Sequence, residues 1–356
     1  MNKGETEQAT QKYNEAIIVA PSLAVLYVNR GVAYLSLSKS AEALADAEKA
    51  LSILATGTNP PAHSALAYQI KGTVYQNRGD YKLAVESLSK SIELEPSNAK
   101  FWNNRGNAYL FSKEYDKALK DYDKAIELDA AFPMFYINRA TVNLQLKDVT
   151  ASLRDLDEAL KLNDTNENAY YTRANANVKL GKYDEGLRDY DRAISLKPKA
   201  PFYHARGIVH YSLGKYDLAI KDNTDALGLD PANIHALYSR ALSYHKLGKN
   251  TLAIEDIRKA LALKERSGLM RYMLAYLLFK SGQFSPAVVE ATKAIDLAPQ
   301  WRTPYTLRAA SYAKLGSAVK AKADRATALQ LGSGNRPVDD ATFFEFNVFV
   351  PEDIDQ

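Results

Sequence analysis

Seven arginines in this chain are each followed, sixteen residues later, by an aspartate. The pairs are Arg30/Asp46, Arg105/Asp121, Arg139/Asp155, Arg173/Asp189, Arg206/Asp222, Arg240/Asp256 and Arg308/Asp324. A ladder of guanidinium groups is one way to grip a nucleic-acid backbone. Here, however, the aspartates supply a partner from within the chain. Where the arginine is missing the aspartate is missing too, leaving Lys71 with Ser87 and Leu274 with Glu290. Joint presence and absence implies ion pairs between two helices, and Arg suits them because its planar fork grips a carboxylate with two bonds. The ladder is therefore read as structural, and there is no strong nucleic-acid signal.

The other reactive groups are sparse. His204, His210, His235 and His245 are close in sequence, but no carboxylate or thiolate joins them, so they are expected to be packing histidines and not metal ligands. The Gly-Lys pairs at 181, 214 and 248 lack the upstream glycine of a phosphate loop, and neither H-E-x-x-H nor G-x-S-x-G occurs. Cysteine is absent, which removes disulfides, thiolate metal sites and thiol nucleophiles. The expectation is a protein that is not an enzyme and uses no cofactor. Net charge is +4, and no apolar run approaches the ~18 residues of a membrane span.

These residues are positioned by a repeat. Gly214, Gly248, Gly282 and Gly316 are spaced by 34, and Gly79 to Gly181 is three times that distance. In this frame nine units begin at Ala24, Ala65, Ala99, Pro133, Glu167, Ala200, Ile234, Gly268 and Arg302. The first unit is lengthened around residues 56–61. Small residues recur at positions 8, 20 and 27, where helices must approach closely, and Pro96, Pro198, Pro231 and Pro299 close the second helix at position 32.

This pattern resembles the tetratricopeptide repeat, a helix–turn–helix unit of 34 residues. The resemblance spans residues 24–331 and implies an all-α fold, a right-handed superhelix (α-solenoid) of antiparallel helix pairs. Residues 4–21 match the second helix of an incomplete repeat, with Ala9, Tyr13, Ala16 and Pro21 in register.

The resemblance also implies a groove lined by positions 2, 5, 9, 12 and 13 of the first helices, with position 6 beside them. Those positions are apolar at the start (Val25, Val28, Val32, Leu35) and then rich in amides (Asn103, Asn107, Asn168 and Asn175, with Asn104 and Asn138). Later they turn aromatic and basic. The residues expected to bind are Asn103, Asn107, Asn138, Tyr171, Asn175, Lys179, Tyr211, Tyr238, Lys246, Tyr272, Tyr276 and Lys280. Asparagine can donate to and accept from an extended backbone, and tyrosine adds flat apolar area with a polar tip. The expected partner is a protein or peptide ligand, and the expected role a scaffold or adaptor.

Some family members clamp the acidic tails of heat-shock chaperones. Asn107 and Asn138 match that clamp, but Asn103, Asn168 and Thr172 stand where it has cations. Two further readings remain. One is the substrate-recruiting part of a larger enzyme such as a protein-modifying sugar transferase, suggested by Asn29, Asn104 and Asn138 at position 6. The other is an RNA-binding helical repeat protein.

After Leu331 comes Gly332-Ser333-Gly334, then a segment with Phe343, Phe344, Phe346 and Phe349. Residues 332–356 carry six acids against one Arg, so docking of 338–356 on the body of the protein is expected. Location is open: the cytoplasm is favoured, with the periplasm or an organelle retained because the pattern begins inside a repeat.

Overall fold

The computed structural model describes residues 3–55 and 61–332. The chain divides into two compact units, Met1–Leu180 and Gly181–Gln356. Among the described residues every regular element is a helix. In the first unit these are α1 Lys3–Val19, α2 Ala24–Ser36, α3 Ser40–Leu54, α4 Pro61–Arg78, α5 Tyr81–Leu94, α6 Ala99–Phe111, α7 Tyr115–Leu128, α8 Pro133–Gln145, α9 Val149–Leu162 and α10 Glu167–Lys179. In the second they are α11 Tyr183–Leu196, α12 Ala200–Ser212, α13 Tyr216–Leu229, α14 Ile234–Lys246, α15 Asn250–Leu263, α16 Gly268–Lys280, α17 Phe284–Leu297, α18 Arg302–Lys314 and α19 Ala318–Gln330. Within each unit successive helices pack in chain order, each against the next. The expected docking of 338–356 falls outside the described residues.

Local chemistry explains where the helices begin and end. Asn166 Oδ1 accepts from the backbone N–H groups of Asn168 and Ala169, and Asn233 and Ser267 cap α14 and α16 in the same way. Each first helix closes on a residue in the left-handed region. Gly214 has φ +74°, and the next N–H, of Lys215, bonds back to His210 O at 2.9 Å. In three repeats that position is not glycine: Ser38, Lys113 and Lys147 adopt φ 59°, 64° and 65°.

Small residues then let the paired helices meet. A Cβ on Gly106 would lie 2.8 Å from the Tyr122 ring, and one on Gly72 would lie 2.5 Å from Leu88. The glycine thus makes room for a large buried side chain on the second helix. The core itself is a series of such contacts, with Ala43, Ala47, Ala84, Ala118, Ala159 and their counterparts fully buried.

Candidate functional site

The arginine ladder is built as a clip that ties three helices. Arg105 donates from Nε and Nη2 to the two carboxylate oxygens of Asp121, both at 2.8 Å, and from Nη1 to Ser89 Oγ on the preceding second helix at 3.1 Å. The same fork joins Arg30 to Asp46 and Asn14, and Arg139 to Asp155 and Asp123. In the second unit it joins Arg206 to Asp222 and Asp191, Arg240 to Asp256 and Thr224, and Arg308 to Asp324 and Thr292.

The hydrogen bond to the carboxylate raises the guanidinium pKa at Arg30, Arg240 and Arg308. Aromatic rings cover the cations: Arg105 lies 5.0 Å from the Trp102 ring centroid, and Arg30 lies 5.6 Å from both Tyr27 and Tyr34. The seventh pair, Arg173 and Asp189, is divided between the units; Arg173 Nη1 donates to Asp157 at 2.8 Å.

The two exceptions rebuild part of the clip. Lys71 makes a backward link, to Glu48 at 3.2 Å. Glu290, opposite Leu274, pairs instead with Arg271 one turn earlier, at 2.8 Å. Neither link was visible in the sequence spacing of sixteen. These guanidinium groups are engaged in holding the helices together.

In the first unit the amides of the first helices meet. Asn138 Nδ2 on α8 donates to Asn103 Oδ1 on α6 at 2.8 Å, and Asn103 Nδ2 donates to Asn104 Oδ1 at 3.3 Å. This orders a short amide chain ending on the Asn104 NH2 group and the Asn138 carbonyl, both on half-buried side chains. Asn107 is held separately, accepting from the buried Tyr122 hydroxyl at 2.7 Å. Tyr171 bonds to Asn175, and burial raises its pKa. Lys179 is exposed, its Nζ 3.4 Å from Leu144 O.

The second unit departs from the expectation. Tyr238 and Tyr272 are fully buried and Tyr276 is 6% exposed; all three belong to one hydrophobic cluster with Leu237, Met273 and Trp301. Tyr272 meets Trp301 edge-on at 4.9 Å between centroids. They are core residues and not an open lining. The cause is α16, GLMRYMLAYLLFK, whose charged residues are Arg271 and Lys280 and which buries its residues from Tyr272 to Leu278 without a break.

Tyr211 is half-buried, packed edge-on against Tyr216 at 5.4 Å, and burial pushes its pKa up to about 12. Lys246 and Lys280 are exposed, with Lys280 Nζ 5.5 Å from the Tyr276 ring centroid. His204 is held by Asn223, whose Nδ2 donates to Ala219 O, leaving Oδ1 to accept from His204 Nδ1 at 2.8 Å. Burial pushes the His204 pKa down to about 4. Among the described residues no three His, Asp or Glu side chains converge as a metal site.

One signal in the sequence was missed. The first helices α2, α4, α6, α8, α12, α14, α16 and α18 contain no Asp or Glu, and α10 contains only Glu167, in its first turn. The carboxylates sit on second helices and in loops. In each unit the first helices, Glu167 apart, are therefore neutral or basic.

Comparison with known sequences fits this architecture. The family pattern described as Tetratricopeptide repeat matches residues 24–53, 99–132, 167–199 and 204–268, and that described as TPR repeat matches 72–110, together more than half of the chain. The chain belongs to the tetratricopeptide repeat family. It is 34% identical over 95 residues to the Hsp70-Hsp90 organizing protein of Triticum aestivum, covering 27% of this chain and 15% of that protein. It is also 34% identical over 99 residues to the Small glutamine-rich tetratricopeptide repeat-containing protein 2 of Saccharomyces cerevisiae, covering 28% and 27%. The matches thus reach only a minor part of either relative. Among solved structures, the APC/C hetero-tetramer Cut9-Hcn1 shares the fold, with TM-score 0.52 and 13% identity over 90% of this chain and 75% of that one. No described helix is long and apolar enough to cross a membrane.

Proposed function

We propose that this protein is a non-catalytic adaptor that holds an extended peptide or protein segment on the first-helix face of its first unit. The observation that carries this reading is the ordered amide chain from Asn138 through Asn103 to Asn104. Its ends offer one NH2 group and one carbonyl, the pair of functions that an extended backbone presents in return. Asn107, Tyr171, Asn175 and Lys179 lie on the neighbouring turns of α6 and α10. We also take residues 24–331 as nine repeats, with 4–21 as the second helix of a further one.

The relatives' names point to chaperone organisation. This chain, however, has Asn103, Asn168 and Thr172 where a clamp for chaperone tails has cations. The segment it holds is therefore recognised through its backbone more than through a terminal carboxylate. A second reading, the substrate-holding part of a larger enzyme, is favoured by the amides Asn29, Asn104 and Asn138 at one repeat position. A transferase domain encoded in the same polypeptide would support that reading.

The test selects segments from a displayed library of random peptides against the full chain, then compares the wild type with Asn104→Ala/Asn138→Ala. Affinity for the selected segments is expected to fall at least ~10-fold, or about 1.4 kcal/mol, with helix content unchanged. Unchanged affinity rejects this face as the site.

A further inference from the structure

One junction of the second unit lacks the clip at both of its ends. Elsewhere in that unit Asp191, Thr224 and Thr292, on second helices, each accept a bond from the arginine of the following repeat. The corresponding residue of α15 is Arg258, and sixteen residues later Leu274 replaces the arginine. A donor thus stands where the acceptor is due, and an apolar side chain where the donor is due. Arg258 is exposed and forms no hydrogen bond or ion pair among the described residues.

Space opens at the same place. A cavity of about 500 Å³ is lined by residues of α15, α16 and α17, with the buried Leu261 and Leu274 in its walls and Arg258 at its rim. Its two deepest charges are matched from within. Arg271 bonds one oxygen of Glu290 at 2.8 Å, and Lys293 bonds the other at 2.7 Å. A smaller cavity in the first unit, about 400 Å³, is lined by a complete clip of Asp123, Arg139 and Asp155. The cavity of the second unit therefore differs in holding a guanidinium over an apolar floor with no anion of its own.

We propose that this cavity docks an acidic segment of a protein partner. The segment lays an apolar side chain on Leu261 and Leu274 and sets a carboxylate on Arg258, whose fork can hold both oxygens as it does in a clip. The volume falls within the ~300–1,000 Å³ typical of small binding sites. The surrounding charge has the right sign: from 258 to 271 the chain carries Arg258, Lys259, Lys264, Arg266 and Arg271 against Glu265. Glu265 and Glu290 also line the cavity, so a single carboxylate suits it better than a phosphate dianion. The site is independent of the amide face of the first unit.

Fluorescence anisotropy on the full chain tests it, with a labelled pentapeptide probe of one leucine between two pairs of aspartates, capped at both ends. Saturable binding is expected, weakened at least ~10-fold by Arg258→Glu. Lys221→Glu makes the same change of sign at an exposed position of α13 and should leave affinity unaltered. Asn104→Ala/Asn138→Ala should also leave it unaltered. Arg258→Thr/Leu274→Arg/Glu290→Asp rebuilds the clip of the ninth repeat, fills the cavity and should abolish binding. A wild type that does not saturate overturns the proposal, as does affinity that survives Arg258→Glu. An equal loss in Lys221→Glu overturns it too, by reducing the attraction to overall charge. A loss confined to the asparagine variant overturns it by placing the probe on the first unit.

Discussion

The two units use one repeat frame to opposite ends. Residues 1–180 hold 21 Lys and Arg against 22 Asp and Glu, whereas residues 181–332 hold 24 against 14. The first unit has several separate small cores, such as Ala65 with Ile92 and Phe101, or Ala118 with Tyr122 and Val142. The second has a continuous cluster from Leu237 to Leu307. The same helical positions therefore carry hydrogen-bonding amides in one unit and sunken tyrosines in the other. A repeat position does not determine what a face can offer; the apolar content of the neighbouring helices does. Around α6 the neighbours leave Asn104 and Asn138 half-buried, and around α16 they sink Tyr272 and Tyr276 into the core.

Tyr272→Ala would break this contrast most sharply. Removing a fully buried ring set edge-on against Trp301 is expected to cost about 3–5 kcal/mol, read as a lower urea midpoint. Asn138→Ala, one frame position along in the first unit, should cost far less. A Tyr272 variant of wild-type stability would return the tyrosine to the open lining. Arg105→Ala comes next. It strips a carboxylate that is 5% exposed of a fork that is 18% exposed. The expected loss is about 3 kcal/mol, because an uncompensated charge stays behind. Leu274→Ala removes no clip, so a loss there must come from packing alone.

Much of this was legible because the determinants are local and periodic. Six glycines in left-handed turns and the pairs sixteen apart define the helices and the clip directly. What was not legible depends on three dimensions. The Nη1 bond to the preceding repeat has partners as different as Asn14, Asp123 and Thr292, so no residue type announces it. The burial of Tyr238, Tyr272 and Tyr276 follows from how α16 is surrounded, which a groove position number does not encode. In three turns Ser38, Lys113 and Lys147 took a backbone conformation that glycine normally marks, so the glycine count missed them.

A half-buried histidine of the second unit gives stability a pH signature. His204 stays neutral in the fold down to about pH 4, against an ordinary value of 6.5. Between those values the unfolded chain takes up a proton that the folded chain refuses. Stability is therefore lost as pH falls through this window and levels off below it. The loss is on the order of 2–3 kcal/mol. Urea midpoints at pH 7, 5.5 and 4 for the wild type and His204→Gln check this: the difference between the two proteins should shrink or reverse as pH falls. A constant difference across the window would show that His204 titrates normally.

The smallest effect lies at a turn. Lys113 holds φ 64° between α6 and α7, whereas the corresponding turn residue after α12 is Gly214 at φ +74°. A side chain in this region brings its Cβ against the following carbonyl, costing roughly 1–2 kcal/mol, and glycine escapes that clash while losing more freedom on folding. The hydrogen bonds of the turn are already made, with Glu114 N–H reaching Tyr109 O at 2.8 Å, as Lys215 N–H reaches His210 O at 2.9 Å. Lys113→Gly therefore changes strain without changing connectivity, and the net gain is expected to be about 0.5–1 kcal/mol. The reverse change, Gly214→Lys, should cost a similar amount in the second unit. Thermal melts of the two variants measure both. Equal and opposite shifts would make the turn a transferable part of the frame. A gain at 113 without a loss at 214 would mean that the large core of the second unit absorbs the strain, extending the contrast between the units from their first helices to their turns.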